Sequence, residues 1–227
     1  MAAGSPSSAA PPEEIKPIPI NRKEAASHDK KLQIILGAEP YSVRGIDVEA
    51  PVEAAGFFFL RPSFAVKLLA EEEISGPSIE KDEDGGWVMK SGSGASLVFR
   101  LVKSSRRDAL LRFTFLQRAP VGIGLKISGS GVLAIRMNKG EKNASTIDYD
   151  VYLVKGSLPL DEPASAFGAQ AGLVLGEVDR ATKSFVELCE TAWGDAELVI
   201  KDMEREKEVF TKDEIADFRR AFGKGRK

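Results

Sequence analysis

The middle of the chain, from about residue 31 to 160, alternates apolar and polar side chains with a period of two. Clear examples are the segments 97–102, 111–116 and 133–137. This alternation is typical of strands with one buried face. The predicted strands are Leu32–Leu36, Val43–Val48, Gly56–Leu60, Phe64–Leu69, Trp87–Lys90, Ser96–Val102, Leu110–Gln117, Val121–Ile127, Val132–Asn138 and Tyr149–Val154.

Short glycine-rich and serine-rich segments separate these runs, for example at 84–86, 91–94 and 128–131. Tight turns between short strands indicate that neighbouring strands run antiparallel. The segments between the strands show no apolar spacing typical of a helix. The pattern therefore predicts a mainly β fold, an antiparallel β-sandwich or jelly roll, followed by a helical segment.

After Pro163 the apolar period changes from two to about 3.6, which is typical of amphipathic helices. For residues 181–203 two interpretations stay open, because Gly194 interrupts the apolar stripe: a helix, which we favour, or a hairpin that turns there. Thr211 and Glu214 have the spacing of a capping box, so they predict the start of a final helix.

The first 30 residues contain many prolines and small polar residues, which predicts a disordered or extended tail. Within it, the alternating isoleucines of segment 15–20 are compatible with an extended docking segment or with a plain linker. The expected organisation is thus a tail at 1–30, a β-sandwich or jelly-roll domain at 31–160 and a C-terminal helical arm at 161–227.

Two short stretches resemble known families. Trp87 with segments 94–101 and 131–135 is similar to the strand rhythm of galactose-binding-like jelly rolls, but the resemblance implies no ligand residues. Segment 210–222 resembles the entry helix of calmodulin-type EF-hand proteins, but no calcium loop follows it, so we infer no function from it.

The composition argues against several classes of protein. The 227 residues carry a net charge of −2, so no overall field attracts nucleic acid or an anionic membrane. No apolar run reaches the roughly 20 residues of a membrane span. With one cysteine and no recognisable signal peptide, the expected location is cytoplasmic; a protein imported into an organelle and then processed would look the same.

Candidate chemistry is sparse, and we expect no enzyme, cofactor or metal. The only histidine is His28, and Cys189 is the only thiol, so a zinc site of the usual kind is excluded. The acidic segment 80–84 predicts a solvated turn rather than a calcium loop. Asp148 and Asp150 share a strand face, where we interpret them as charges that protect a sheet edge.

The leading functional hypothesis is a non-catalytic protein–protein interaction or assembly module, a subunit of a larger complex or a homo-oligomer. Its expected partner-binding residues are Ile215, Phe218 and Phe222 on the last helix, and Ile18 and Ile20 in the tail.

The alternative is a jelly-roll module that binds a small ligand or carbohydrate through Trp87, Tyr149 and Tyr152. Nucleic-acid binding has weaker support, because the basic strand residues such as Arg112 lie opposite the aromatic ones rather than among them.

Overall fold

The computed structural model describes residues 15–28, 30–72, 78–81, 87–90, 95–118, 126–141, 143–154, 164–206 and 208–222. Its elements, in chain order, are α1 (Arg22–His28), α2 (Lys30–Ile35), β1 (Tyr41–Val48), α3 (Val52–Phe59), α4 (Pro62–Glu72), β2 (Ser78–Lys81), β3 (Trp87–Lys90), β4 (Ala95–Ser104), β5 (Asp108–Arg118), β6 (Lys126–Lys139), β7 (Ser145–Val154), α5 (Ala164–Gly194), α6 (Ala196–Arg205) and α7 (Lys212–Phe222).

The seven strands form one antiparallel sheet in the order β1-β7-β6-β5-β4-β3-β2. Consecutive strands from β2 to β7 are neighbours, and β1 closes the far edge beside β7. In β1 a bulge between Val43 and Ile46 places Gly45 at a φ of +67°, which glycine adopts without steric cost.

One face of the sheet, here called the inner face, carries Phe99, Phe113, Ile135 and Tyr149. Residues of the helices α3 to α7 complete the same core against it. The prediction of a sandwich or jelly roll is therefore wrong, because no second sheet packs on this face among the described residues. The fold implied by the resemblance to galactose-binding-like jelly rolls is wrong for the same reason. A mainly antiparallel sheet with C-terminal helices is confirmed, but helices rather than a second sheet cover the inner face.

The opposite, outer face is covered by the N-terminal segment. Ile18, Ala25, Leu32 and Leu36 pack there with strand residues that point away from the inner face, including Val132. Within the segment predicted to be a tail, residues 15–28 pack against the sheet, first without regular secondary structure and then as α1. Residues 1–14 lie outside the described part.

Three predicted strands are wrong. Segments 32–36, 56–60 and 64–69 lie in or beside helices α2, α3 and α4. The run from Ala54 to Leu60 contains no polar residue, and an unbroken apolar run does not distinguish a buried strand from a buried helix. The helical signals were Pro51 immediately before α3 and Pro62 as the first residue of α4, a position where proline removes no helical hydrogen bond.

The other strand predictions agree with the sheet. Trp87–Lys90 is β3 with the same bounds, while β4, β5 and β7 extend beyond the predicted segments. Segment 132–138 lies within β6, and of segment 121–127 only residues 126 and 127 are described, as the start of β6. The short strand β2 was not predicted, and residues 82–84 of the acidic segment lie outside the described part.

The C-terminal region is helical, which decides the question left open for residues 181–203. α5 ends at Gly194 and α6 begins at Ala196, and the Asp195 carboxylate accepts a hydrogen bond from the Leu198 amide at 3.2 Å. The capping box of α7 is confirmed. The Glu214 amide donates to the Thr211 hydroxyl at 3.2 Å, and the Thr211 amide donates to the Glu214 carboxylate at 2.8 Å.

Candidate functional site: an apolar cavity on the inner face of the sheet

A cavity of about 70 Å3, here called the inner cavity, lies between the inner face of the sheet and α5. Apart from one threonine, every described side chain that lines it is apolar. The lining residues are Phe59, Pro62, Val66, Leu97, Phe99, Leu111, Phe113, Leu133, Ile135, Val178, Ala181, Thr182 and Phe185.

The strand register assembles one wall of this cavity. Phe99 of β4 lies opposite Phe113 of β5, so two aromatic rings occupy neighbouring positions on the same face. Phe113 in turn lies opposite Gly131 of β6, and a Cβ atom at that position would collide with the Phe113 ring. Glycine at 131 therefore leaves the space that the Phe113 ring occupies.

Helix α5 supplies the opposite wall. Val178, Ala181, Thr182 and Phe185 follow the spacing of three and four that places side chains on one helical face. The Thr182 hydroxyl donates to the Val178 carbonyl oxygen at 2.8 Å, so the one polar group of the lining is satisfied within its own helix. The described part of the lining thus offers a ligand no strong hydrogen-bonding group.

The helices α3 and α4 close the cavity on a third side through Phe59, Pro62 and Val66. Phe59 meets Phe185 of α5 edge to face, with ring centroids 5.5 Å apart.

A polar contact fastens α5 to the sheet near this region. The Tyr149 hydroxyl of β7 donates a hydrogen bond to the Asp179 carboxylate of α5. Burial, and then the hydrogen bond and charge of Asp179, raise the pKa of Tyr149 well above its usual 10.0, so the phenol stays a neutral donor.

A second cavity, here called the outer cavity, has a volume of about 380 Å3 and a mixed lining. Pro62 and Phe99 line both cavities, so the two are neighbours. The outer cavity adds Ser63, two arginines, Arg61 and Arg100, and two carboxylates of α7, Glu214 and Asp217. An apolar chamber therefore lies beside one that carries charged groups.

The structure buries the residues of α7 that were expected to bind a partner. Ile215, Phe218 and Phe222 belong to the main core. The Phe218 and Phe222 rings stack at 4.5 Å, and both meet Phe57 of α3. The apolar face that the sequence offered to a partner is thus covered by the chain itself, because α3, unrecognised as a helix, lies against it.

The two isoleucines expected in a docking segment lie on the outer face of this chain's own sheet. Ile18 is buried and Ile20 is half-buried there. The backbone amide of Ile18 donates to the Asp150 carboxylate, which also accepts from the Ser42 hydroxyl and the Arg44 guanidinium, each at 2.6 Å.

These contacts correct the interpretation of Asp150 as an edge charge. β7 lies between β1 and β6, so it is not an edge strand, and Asp150 is 0% exposed. A buried carboxylate needs partners, and here the partners are Arg44 of β1 and the N-terminal segment. Asp148, on the same strand, accepts from the Gly45 amide and from Asn138.

The aromatic residues of the alternative ligand site do not come together. Tyr149 lies in the core of the inner face and Tyr152 in that of the outer face, because residues three apart on a strand point in opposite directions. Trp87 opens β3, opposite Phe99, but its side chain lies outside the described part. The two tyrosines therefore do not share a site, and a ligand site that Trp87 forms with one of them stays a prediction.

The cysteine is buried, and several of the basic residues form ion pairs. Cys189 is buried, and burial together with the charge of Glu190 raises the pKa of its thiol to about 12. Of the basic residues, Lys103 pairs with Glu24, Arg106 with Glu53 and Arg136 with Asp108.

His28 ends α1. Among the residues that the structure describes, no group of three or more histidine, cysteine, aspartate or glutamate side chains is arranged to hold a metal ion. Nor does that part of the chain contain a helix long and apolar enough to cross a bilayer.

The sequence predictions missed the inner cavity. The sequence pattern predicts that its strand residues form a buried face. The other walls come from α3, α4 and α5, whose positions against the sheet the pattern does not specify. The signal that was present is the spacing of Val178, Ala181 and Phe185, with small Ala181 between larger side chains. A small residue in an apolar helical stripe is compatible with close packing as well as with a space, so the pattern alone does not predict a cavity.

Comparisons with known proteins find similarity only among solved structures. No family model matches the sequence, and no curated protein matches it. Ara h 8.0201 is 16% identical with a TM-score of 0.46, over 68% of this chain and 99% of that one. A conserved protein from Geobacillus kaustophilus is 11% identical with a TM-score of 0.46, over 66% and 95%. A START superfamily protein from Mycobacterium smegmatis is 14% identical with a TM-score of 0.40, over 66% and 97%.

Proposed function

We propose that this protein is a non-catalytic binder of a small apolar ligand, which it holds in the inner cavity between the sheet and α5. The observation that carries the proposal is the lining of this cavity: among its described residues the single polar side chain, Thr182, already bonds to Val178. Apolar cavities take up apolar molecules.

The lining also explains why we propose binding rather than catalysis. Proton transfer needs an acid or base within hydrogen-bond reach of the reacting atom. The described side chains around the inner cavity include no carboxylate, imidazole, thiol or amine. The apolar side chains of the inner cavity would shield a bound ligand from water and select it by its shape.

The size of the cavity limits the ligand. Its volume of about 70 Å3 is smaller than the engineered cavity of about 150 Å3 that accommodates benzene. The cavity is partly open, so the end of a short alkyl chain fits inside it while the rest of the chain extends out, whereas a fused ring system does not fit.

Methyl NMR with pentan-1-ol as the probe tests the proposal. We expect saturable shifts at the methyl groups of Val66, Leu133, Ile135 and Val178, which line the cavity, and none at Ile200 of α6. Unchanged lining methyls, or equal shifts throughout the core, would contradict it.

A variant pair sharpens this test. Ala181→Leu places a larger side chain in the inner cavity and is expected to abolish the shifts. Ala196→Leu makes the same change at the start of α6, outside the lining, and is expected to leave them unchanged.

A second candidate function is self-association. This is the assembly hypothesis at a different surface from the one expected on α7. Ile34 is 74% exposed and Tyr41 45% exposed, and both line an open groove that runs beside Val151 and Leu175. Tyr41 begins the edge strand β1, and apolar side chains next to an unpaired strand edge favour pairing with a second copy of the chain.

Size-exclusion chromatography with light scattering tests this candidate. If two copies associate at this groove, Ile34→Lys shifts the wild-type dimer to a monomer. Leu198→Lys changes a residue that is 51% exposed on α6 and should leave the dimer intact. A monomeric wild-type protein at high concentration would refute self-association.

A further inference from the structure

We propose that the ligand is an apolar carboxylic acid, whose alkyl group occupies the inner cavity and whose carboxylate binds Arg61 in the outer cavity. This inference rests on the proposed function and adds to it the chemical class of the ligand.

The first support is the position of the two cavities. Pro62 and Phe99 line both, so the two cavities adjoin at these residues, and we infer that a short molecule in the apolar chamber lies with one end against them. Arg61 is the residue immediately before Pro62, at the junction between α3 and α4.

The second support is the state of the Arg61 guanidinium. It lies over the Phe57 ring at 4.4 Å from the centroid, a cation–π contact that holds it near this ring. Its ion pair with Asp217 is long, at 3.7 Å, and the guanidinium makes no hydrogen bond within the described part of the chain. A planar group with five N–H donors is therefore held near this ring but has donors to offer.

The third support is that other cations hold the carboxylates of the outer cavity. Asp217 accepts from Arg220 at 3.0 Å. Glu214 accepts from Lys67 at 2.7 Å and from the Thr211 amide. Lys67 and Arg220 thus pair with the two acids at shorter distances than Arg61 does, and the lining holds two arginines, Arg61 and Arg100, beside these two acids.

These groups favour a carboxylate over other head groups. Guanidinium binds carboxylate through two parallel N–H···O bonds, and this geometry adds directional preference to the charge attraction. α4 also begins here, at Pro62, and the positive end of its helix dipole favours an anion nearby. A neutral hydroxyl gains neither effect.

The test compares two probes of equal chain length at neutral pH, pentanoate and pentan-1-ol, by isothermal titration calorimetry and methyl NMR. We expect the wild-type protein to bind pentanoate about fivefold more tightly, the size of effect typical of a partly exposed charge pair. Arg61→Gln should remove this preference and leave pentan-1-ol binding unchanged. Arg106→Gln, a control at an exposed arginine paired with Glu53, should leave both affinities unchanged.

The outcomes distinguish the two proposals. If pentan-1-ol shifts the methyl groups of the inner cavity but pentanoate binds no better, the head-group inference fails and the apolar binding function stands. If neither probe shifts those methyl groups, both proposals fail. If Arg61→Gln and Arg106→Gln weaken pentanoate binding equally, the effect is one of overall charge and the assignment of Arg61 is refuted.

Discussion

Three consecutive phenylalanines of α3 serve two regions that pack very differently. Phe57 and Phe58 belong to a phenylalanine cluster with Phe64, Phe218 and Phe222, where the rings meet at centroid distances between 4.5 and 6.3 Å. Phe59 points elsewhere and meets Phe185 at the wall of the inner cavity, where a volume of about 70 Å3 remains unfilled.

The two regions have the same kind of side chains, so their difference lies in geometry. In the phenylalanine cluster, α7 packs directly against α3 and its rings fill the space between the helices. Across the inner cavity, α5 presents small Ala181 toward a wall of strands. Close packing gives stability, whereas an apolar space that remains open gives a place to bind.

Truncating a ring should cost most in the phenylalanine cluster. Phe218→Ala is expected to lower the free energy of unfolding by about 3–5 kcal/mol, because it empties a fully buried site. Phe185→Ala, at the cavity wall and only partly buried, should cost roughly 1–2 kcal/mol. Urea unfolding measures both, and equal costs would contradict the difference in packing.

Adding atoms should affect the two regions with opposite sign. Ala65→Val, at a fully buried position of α4, is expected to destabilise by about 1–3 kcal/mol through overpacking. Ala181→Val makes the same change in a helix but extends into the inner cavity, so we expect a stabilisation of up to about 1 kcal/mol. The intrinsic helical cost of valine is common to both variants and cancels. A destabilised Ala181→Val protein would show that the cavity is not open.

Acid should loosen the α7 side, because a carboxylate holds α7 in place there. Burial alone would raise the pKa of Glu214, but the hydrogen bonds from Lys67 and Thr211 outweigh it and lower the pKa below its usual 4.5. The contribution of Glu214 to stability is therefore complete above its ordinary pKa and is lost as the pH falls through the lower, folded-state pKa.

The measurement is the free energy of unfolding against pH for the wild-type protein and for Glu214→Gln. We expect the two curves to converge toward low pH and to differ most at neutral pH. Binding of pentan-1-ol, in contrast, should not change over the same range, since no titratable group is described in the lining of the inner cavity. Parallel stability curves would refute the role of Glu214.

The smallest effect is expected at Thr182. Its hydroxyl bonds to the Val178 carbonyl oxygen of its own helix. Thr182→Val keeps the shape of the side chain and removes this one bond, so the free energy of unfolding should change by about 0.5 kcal/mol, the low end for a net hydrogen bond. A loss of pentan-1-ol affinity in this variant would show that the hydroxyl contacts the ligand.

The sequence predicted local features better than packed ones. Trp87–Lys90 was found because alternation marks a half-buried strand, and Thr211 with Glu214 were found because a capping box is read from four residues. The strand predicted in the apolar run Ala54–Leu60 was wrong, because this run has no alternation that would distinguish a strand from a helix. Asp150 was misread because burial against Arg44 depends on which strands become neighbours.

The candidate site was less predictable than the fold. A cavity is the volume left over after strands and helices have packed, so no single motif encodes it. Gly131, for example, is indistinguishable in the sequence from a turn glycine, yet it lies within β6 and makes room for Phe113.

An open apolar cavity between the sheet and α5 can be detected in a crystal of the protein held under xenon gas. Xenon enters apolar cavities without needing a hydrogen bond. We expect one strong xenon site in contact with Phe113, Ile135 and Ala181, and no xenon at this place in Ala181→Leu. Side chains that fill this space in the wild-type crystal, with no xenon there, would show that the inner cavity does not exist.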